Sequence, residues 1–492
     1  MKKKFFGIFV TMICIVLVAS SVLAAGSPPG SGWWSGEVIQ NVSGTAANVS
    51  IQAFDANGAS TYSTTSVSVP SGGNKAFLPS DFAALPATFS GSGVVTADQD
   101  IRGIVNLTNR PVASWGVAGG LAAGQYQASG TGSTSLRFPL MKNNFNNKTT
   151  TFYLQNAGDT AATITATFYD ATSSYVYTSG LVEPYRMIAI SPLDTSPAVP
   201  AAALGSMVAT SAQPLVGVVL EHFTVDNPAS LLQATRGFAS TEAFTTYYVP
   251  VVKYNFNNRF TGISVQNTTA GNIDITVTYK SSTAACNNVS DGPVTVQPNK
   301  SYNFVHLSGQ PTVLNTSCLA SATVVATGNV VAIVNESYTP TYMSANPTKK
   351  QESTTYSAFS AAAATTKVVI PLYKENAGNK TTGLTIQNVG AVAATNVVAV
   401  FVGPLGTFTT KPQTIAAGGS LTLLEVSATK NAALWNGTVM PICSTSCATN
   451  SLYGVTITAD QPIVAIANES VYPFSGAPIT QDKNNYEGFN MP

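Results

Sequence analysis

Charge is scarce in this chain. Of 492 residues, 23 are Lys or Arg and 22 are Asp or Glu, for a net charge of +1. So small and so even a complement excludes the basic stripe that nucleic acid requires and the polybasic patch that an anionic membrane requires. Histidine is scarcer still, with only His222 and His306. There is no HExxH, Walker A, GxGxxG or Gly-x-Ser-x-Gly pattern, and aspartate is too dispersed for a calcium loop. The sequence therefore predicts no enzyme, no metal and no cofactor. Beyond residue 30 no apolar run reaches the roughly 18 residues that a helical membrane span needs. Low charge does not signal disorder here, because 45% of the residues are hydrophobic.

The one long apolar run lies at the start. Lys2, Lys3 and Lys4 precede a stretch from Phe5 to about Val18, and small residues follow to Ala25. That order is a secretory leader with cleavage after Ala24 or Ala25. The expected location is secreted, extracellular or at the cell surface. Cys14 would be lost with the leader, leaving Cys286, Cys318, Cys443 and Cys447. An even number in an exported protein favours disulfides, and pairing within repeats gives Cys286–Cys318 and Cys443–Cys447.

What is abundant is internal repetition. Gln-Asn pairs end strand-like segments at Asn41, Asn156, Asn267 and Asn388, at spacings of 115, 111 and 121 residues. A polar turn follows each pair, with the Asn placed to cap it. An alternating strand comes next, then two apolar segments read as a hairpin. The expected fold class is all-β, with four tandem antiparallel β-sandwich repeats after a leader at 1–25. The boundaries are repeat one at 26–109, a linker at 110–136, repeat two at 137–225, a linker at 226–246, repeat three at 247–341, a linker at 342–365, repeat four at 366–474 and a tail at 475–492. The linkers and tail share an aromatic pattern that includes Tyr356 and Tyr486-Glu487-Gly488-Phe489. The recurring aromatic suggests that they dock on a neighbouring domain; a flexible spacer is the alternative.

Repeat one differs from the others. Repeats two to four open with Phe138-Pro139-Leu140-Met141-Lys142, Val249-Pro250-Val251-Val252-Lys253 and Ile370-Pro371-Leu372-Tyr373-Lys374, whereas repeat one has a Pro- and Gly-rich segment before Trp33 and Trp34. A missing strand leaves an unpaired sheet edge. Either the tryptophans cover that edge or another strand, for which the tail of a second molecule is the candidate donor, pairs with it. Trp33, Trp34, Tyr486 and Phe489 are the candidate assembly contacts.

Lys142, Lys253 and Lys374 recur at the end of the opening strand, and Glu221, Glu336 and Glu469 in the last strand. First and last strands of a sandwich are often neighbours, so each Lys is expected to pair with its Glu. A sharper alternative is a Lys–Asn isopeptide bond through Asn335 or Asn468, although adjacent strand residues point to opposite faces.

In architecture and repeated strands, residues 33–474 resemble the tandem Ig-like β-sandwich repeats of bacterial surface-layer, filament and adhesion proteins. The resemblance implies an extended rod and a structural role. The expected partners are the chain itself or other cell-surface components, and the strand missing from repeat one suggests assembly by strand complementation; an adhesin or glycan-binding protein is the alternative.

Overall fold

Alternating burial identifies the strands that line a core on one face only. Ala47–Asp55, Ile164–Tyr169 and Ile273–Ser281 each bury every second residue for most of their length. The computed structural model describes residues 11–18, 33–56, 58–108, 123–130, 132–223, 232–345, 353–375, 377, 380–424, 433–438, 452–471 and 484–491. Among these the chain is almost entirely strand, joined in antiparallel sheets, with one short helix at Pro340–Ala345.

The same strand set recurs in each repeat. An opening strand is found at Ser133–Asn143, Phe244–Tyr254 and Thr365–Lys374. The Gln-Asn strand spans Trp34–Asn41, Lys148–Asn156, Arg259–Asn267 and Lys380–Asn388. In each opening strand the register shifts across the Pro, between Phe138 and Met141, Val249 and Val252, and Ile370 and Tyr373. Proline has no N–H to give the ladder, so the strand bulges there.

The two closing segments do not form a hairpin. In repeats two to four they are a single strand, Ala203–Phe223, Cys318–Tyr338 and Leu452–Val471. Its first half pairs with the opening strand and its second half with the Gln-Asn strand. In repeat one the two halves are separate strands, Ser90–Ala97 and Ile101–Thr108, in different sheets. Apolar residues at Leu215, Ile333 and Ile463 are buried beyond each expected turn. The chain therefore crosses from one core-lining layer to the other instead of folding back.

The Asn of each Gln-Asn pair caps its turn as expected. Asn41, Asn156, Asn267 and Asn388 each donate two side-chain hydrogen bonds to carbonyls, for example Asn267 to Gly271 (2.7 Å) and Val296 (2.9 Å).

The Gln does something that sequence did not foresee: it joins repeats. Gln155 donates to Tyr185 in its own repeat and to Gly93 in repeat one. Gln266 reaches Asn299 and, in repeat two, Met207. Gln387 reaches Gly418 and, in repeat three, Ala322. Serines on the crossing strand answer from the other side: Ser92 donates to Tyr185, Ser206 to Asn299 (2.6 Å) and Ser321 to Gly418 (2.7 Å). The accepting turn residues share a left-handed backbone, as does Gly72 in repeat one.

The series closes on itself. Repeat four carries Gly454 where the others carry Ser, and a Cβ there would lie 2.7 Å from both the Gly72 carbonyl and the Gln40 amide nitrogen of repeat one. Asn74 donates to Pro371 across the same boundary (2.6 Å). Val38 of repeat one shares an apolar cluster with Ile370 and Ile386 of repeat four. One head-to-tail contact, used four times, thus makes a ring, which replaces the extended rod implied by the resemblance. It also explains why the Gln-Asn strands are buried along nearly their whole length: one face meets the repeat's own core and the other meets the preceding repeat around the ring. Gly454→Val is expected to wedge the fourth repeat from the first. Small-angle scattering should show a larger radius, and hydrogen exchange should speed up at Trp34–Asn41 while repeats two and three stay protected.

Candidate functional site

Three buried carboxylates, each held between two cations, are the most repeated chemical feature. Glu221 lies 2.6 Å from Lys142 and 3.1 Å from Lys148. Glu336 lies 2.8 Å from Lys253 and 3.2 Å from Arg259. Glu469 lies 2.6 Å from both Lys374 and Lys380. The opening strand, the crossing strand and the start of the Gln-Asn strand supply one member each. A Thr hydroxyl on the Gln-Asn strand accepts from the Lys backbone N–H every time, at Thr150, Thr261 and Thr382. Sequence reasoning found the first Lys and the Glu but missed the second cation, although it stands eight residues before each capping Asn.

Electrostatics in these clusters favour the ionised acid. Burial pushes the Glu221 carboxyl upward, but Lys142 and Lys148 outweigh it and pull the group down to about 2. Glu469 is held below the carboxylate range by Lys374 and Lys380 against the same burial. Burial in turn lowers the Lys142 ammonium. The asparagines lie apart from the lysines: Asn335 accepts from Thr355 and Asn468 donates to Thr385. Each Lys meets the Glu, and the geometry is that of an ion cluster.

Repeat one replaces this cluster with apolar residues. Trp33 takes the place of Lys148, Arg259 and Lys380, and Leu107, opposite Ser35, takes the place of Glu221, which is opposite Thr150. Both are buried. Trp34 is half-buried beside Thr108. Neither tryptophan pairs along the open edge, which is occupied by Thr11–Val18. A carboxyl appears elsewhere in repeat one: Glu37 stands where the others have Phe152, Ile263 and Leu384, and burial pushes it up to about 8, with only part recovered through Ser35 and its own N–H.

The linkers and tail dock on the repeat that they follow. Ala123–Gln127, Leu232–Arg236, Thr354–Ser357 and Asn484–Glu487 each add a strand beside the end of the crossing strand. The Tyr356 hydroxyl donates to Val251, and Tyr486 to Leu372, at the proline bulge. Phe489–Met491 pairs with the fourth opening strand, so the tail is already used within its own repeat. Gln127, Arg236, Ser357 and Glu487 end the four docking strands and line one cavity of about 340 Å³, together with Glu242 and Phe489. Arg236 is clamped by Glu242 at 2.6 and 2.8 Å. Gln127 donates to the Glu487 carbonyl (2.9 Å), and Ser357 N–H donates to the Glu487 carboxylate. The four residues recur in equivalent places but differ in type, which is why no motif marked them.

Cys286 and Cys318 form a disulfide. Cys443 and Cys447 lie outside the described residues. His306 is buried between Tyr279 and the Thr261 carbonyl, each at 2.7 Å, and burial lowers it to about 4. His222 sits against Thr151 at 3.1 Å. Among the described residues no cluster of His, Cys, Asp and Glu is placed to hold a metal, and no helix is long and apolar enough to cross a membrane.

No family model matches the chain, and no curated protein matches it. Solved structures that are similar to a part of it include the following two. Protein 1070 of Thermotoga maritima is 21% identical, with 22% of this chain and 96% of that one covered, at a TM-score of 0.19. A sensory rhodopsin transducer of Anabaena is 23% identical, with 18% of this chain and 92% of that one covered, at a TM-score of 0.15.

Proposed function

We propose that this chain is a secreted structural protein of the bacterial cell surface: four Ig-like sandwich domains that follow a cleaved leader and assemble by strand complementation. The observation that carries the reading is the open side of repeat one. Its crossing strand takes its second neighbour from residues 11–18, inside the segment read as a leader. Loss of that strand leaves eight residues of unpaired edge, the feature that β-augmentation uses. Ring closure sharpens this, because the repeat-to-repeat face that would otherwise propagate a filament is consumed within one molecule. Little net charge removes long-range repulsion between copies.

Glycan binding is the second reading, and the cavity lined by Gln127, Arg236, Glu242 and Glu487 favours it. Electron microscopy and light scattering of purified residues 26–492 separate the two. Regular filaments or lattices are expected on the structural reading once other cell-surface subunits are added to the purified chain. Monodisperse rings that bind a glycan array would replace it with the adhesin reading.

A further inference from the structure

We infer that the outer edge of strand Ser90–Ala97 is an acceptor site for an uncharged, apolar β-strand, held by the chain's own residues 11–18 until they are removed and then filled by such a strand from a different partner subunit. The handover to a partner rests on the assembly reading; the chemistry of the acceptor does not.

Position comes first. In repeats two to four the first half of the crossing strand lies between the alternating strand and the opening strand. In repeat one Ser90–Ala97 has Ala47–Asp55 on one side. On the other, Thr11–Val18 pairs antiparallel in eight consecutive registers, from Thr11 with Ala97 to Val18 with Ser90. The leader segment therefore sits where an opening strand belongs. It contains no charge and no proline, and its register runs without a bulge.

Selectivity follows from the residues that the site has changed. Lys142 pairs with Leu204, the residue before Gly205; Val18 pairs with Ser90, the residue before the corresponding Gly91. The position of the cluster lysine is thus Val in the bound segment. The positions of the lysine's two partners elsewhere have changed as well: Leu107 stands in place of the glutamate and Trp33 in place of the second cation, 1% and 4% exposed. A strand that brought a Lys here would bury an ammonium without a carboxylate. The opening strands of a second copy all end on Lys142, Lys253 or Lys374, so the site discriminates against a swap between copies.

The test uses residues 26–492 and two synthetic peptides with lysine pairs appended beyond each end for solubility: Thr11–Val18, and the same peptide with Val18→Lys. Hydrogen exchange at Ser90–Ala97 should be fast in the protein alone and slow at least tenfold with the first peptide. Fluorescence anisotropy should show at least tenfold weaker binding of the second, and Leu107→Glu should reverse that preference. Exchange in repeats two to four reports whether this variant remains folded; the two peptides on the unchanged protein decide the matter if it does not. Slow exchange at Ser90–Ala97 without peptide, no binding of either peptide, or equal binding of both would overturn the inference. Peptide binding by a protein that never assembles, with or without other cell-surface subunits, would keep the acceptor and discard the assembly reading.

Discussion

Glu221→Ala is expected to destabilise repeat two by about 3–5 kcal/mol, the usual cost of removing one partner from a buried ion pair. Lys142 and Lys148 would remain close together with 12% and 16% of their side chains exposed and no carboxylate between them. The loss comes less from the missing attraction than from two ammonium groups left partly desolvated. Replacing the whole cluster with the apolar set that repeat one uses, Lys142→Val with Glu221→Leu and Lys148→Trp, should recover most of it. The pH dependence has a definite sign. Because the Glu221 carboxyl is lowered to about 2 in the folded chain, its contribution is complete above the ordinary carboxylate range. It is lost as pH falls from about 4.5 toward 2. Urea unfolding followed by hydrogen exchange, resolved by repeat, should show this acid limb in repeat two of the parent and not in Glu221→Ala.

Glu37→Leu is expected to do the reverse, and to stabilise repeat one while residues 11–18 are in place. Leu is the residue at this position in repeat four, Leu384. Glu37 is 1% exposed, and among the described residues no cation pairs with it. With its folded value raised to about 8, the carboxyl carries no penalty below about pH 4.5. The penalty then grows as pH rises to 8, at about 1.4 kcal/mol per pH unit, so the largest gain is about 4–5 kcal/mol at and above pH 8. Thermal unfolding at pH 5 and pH 8 checks it: the parent should lose stability in repeat one between them, and Glu37→Leu should not. Unchanged melting at pH 8 would mean that water reaches the carboxyl.

These two acids show how far the sequence could be read. Glu221 was legible because it recurs: a Lys and a Glu at fixed places in three repeats, in strands that a sandwich brings together. Glu37 was not, since it appears once and only burial makes it unusual. The second cations, Lys148, Arg259 and Lys380, were missed although they recur, because their role depends on which strands become neighbours. The hairpin expectation failed for a similar reason. A polar tetrad such as Ser211-Ala212-Gln213-Pro214 suits a turn, yet within Ala203–Phe223 the halves find different partners, and two separate ladders hold the chain extended.

By itself the sequence determined the repeat, its all-β nature, the capping Asn, the Lys–Glu pairs and the within-repeat disulfide. All of these depend on residues whose spacing along the chain nearly sets their spacing in the fold. Only the tertiary structure decided that Gln155, Gln266 and Gln387 bind the preceding repeat, that Gly454 admits the contact closing the ring, and that the apolar segment Thr11–Val18 lies along the edge left open by repeat one. Those contacts join residues 59 or more positions apart, and for Gln40 and Gly454 more than 400. No local pattern encodes them, because an amide that reaches a backbone carbonyl needs nothing from the partner's side chain. The scarcity of charge, by contrast, was visible from the start. What the structure added is where some of those charges went: three buried ion clusters and the Arg236–Glu242 clamp, with the cluster absent from one repeat.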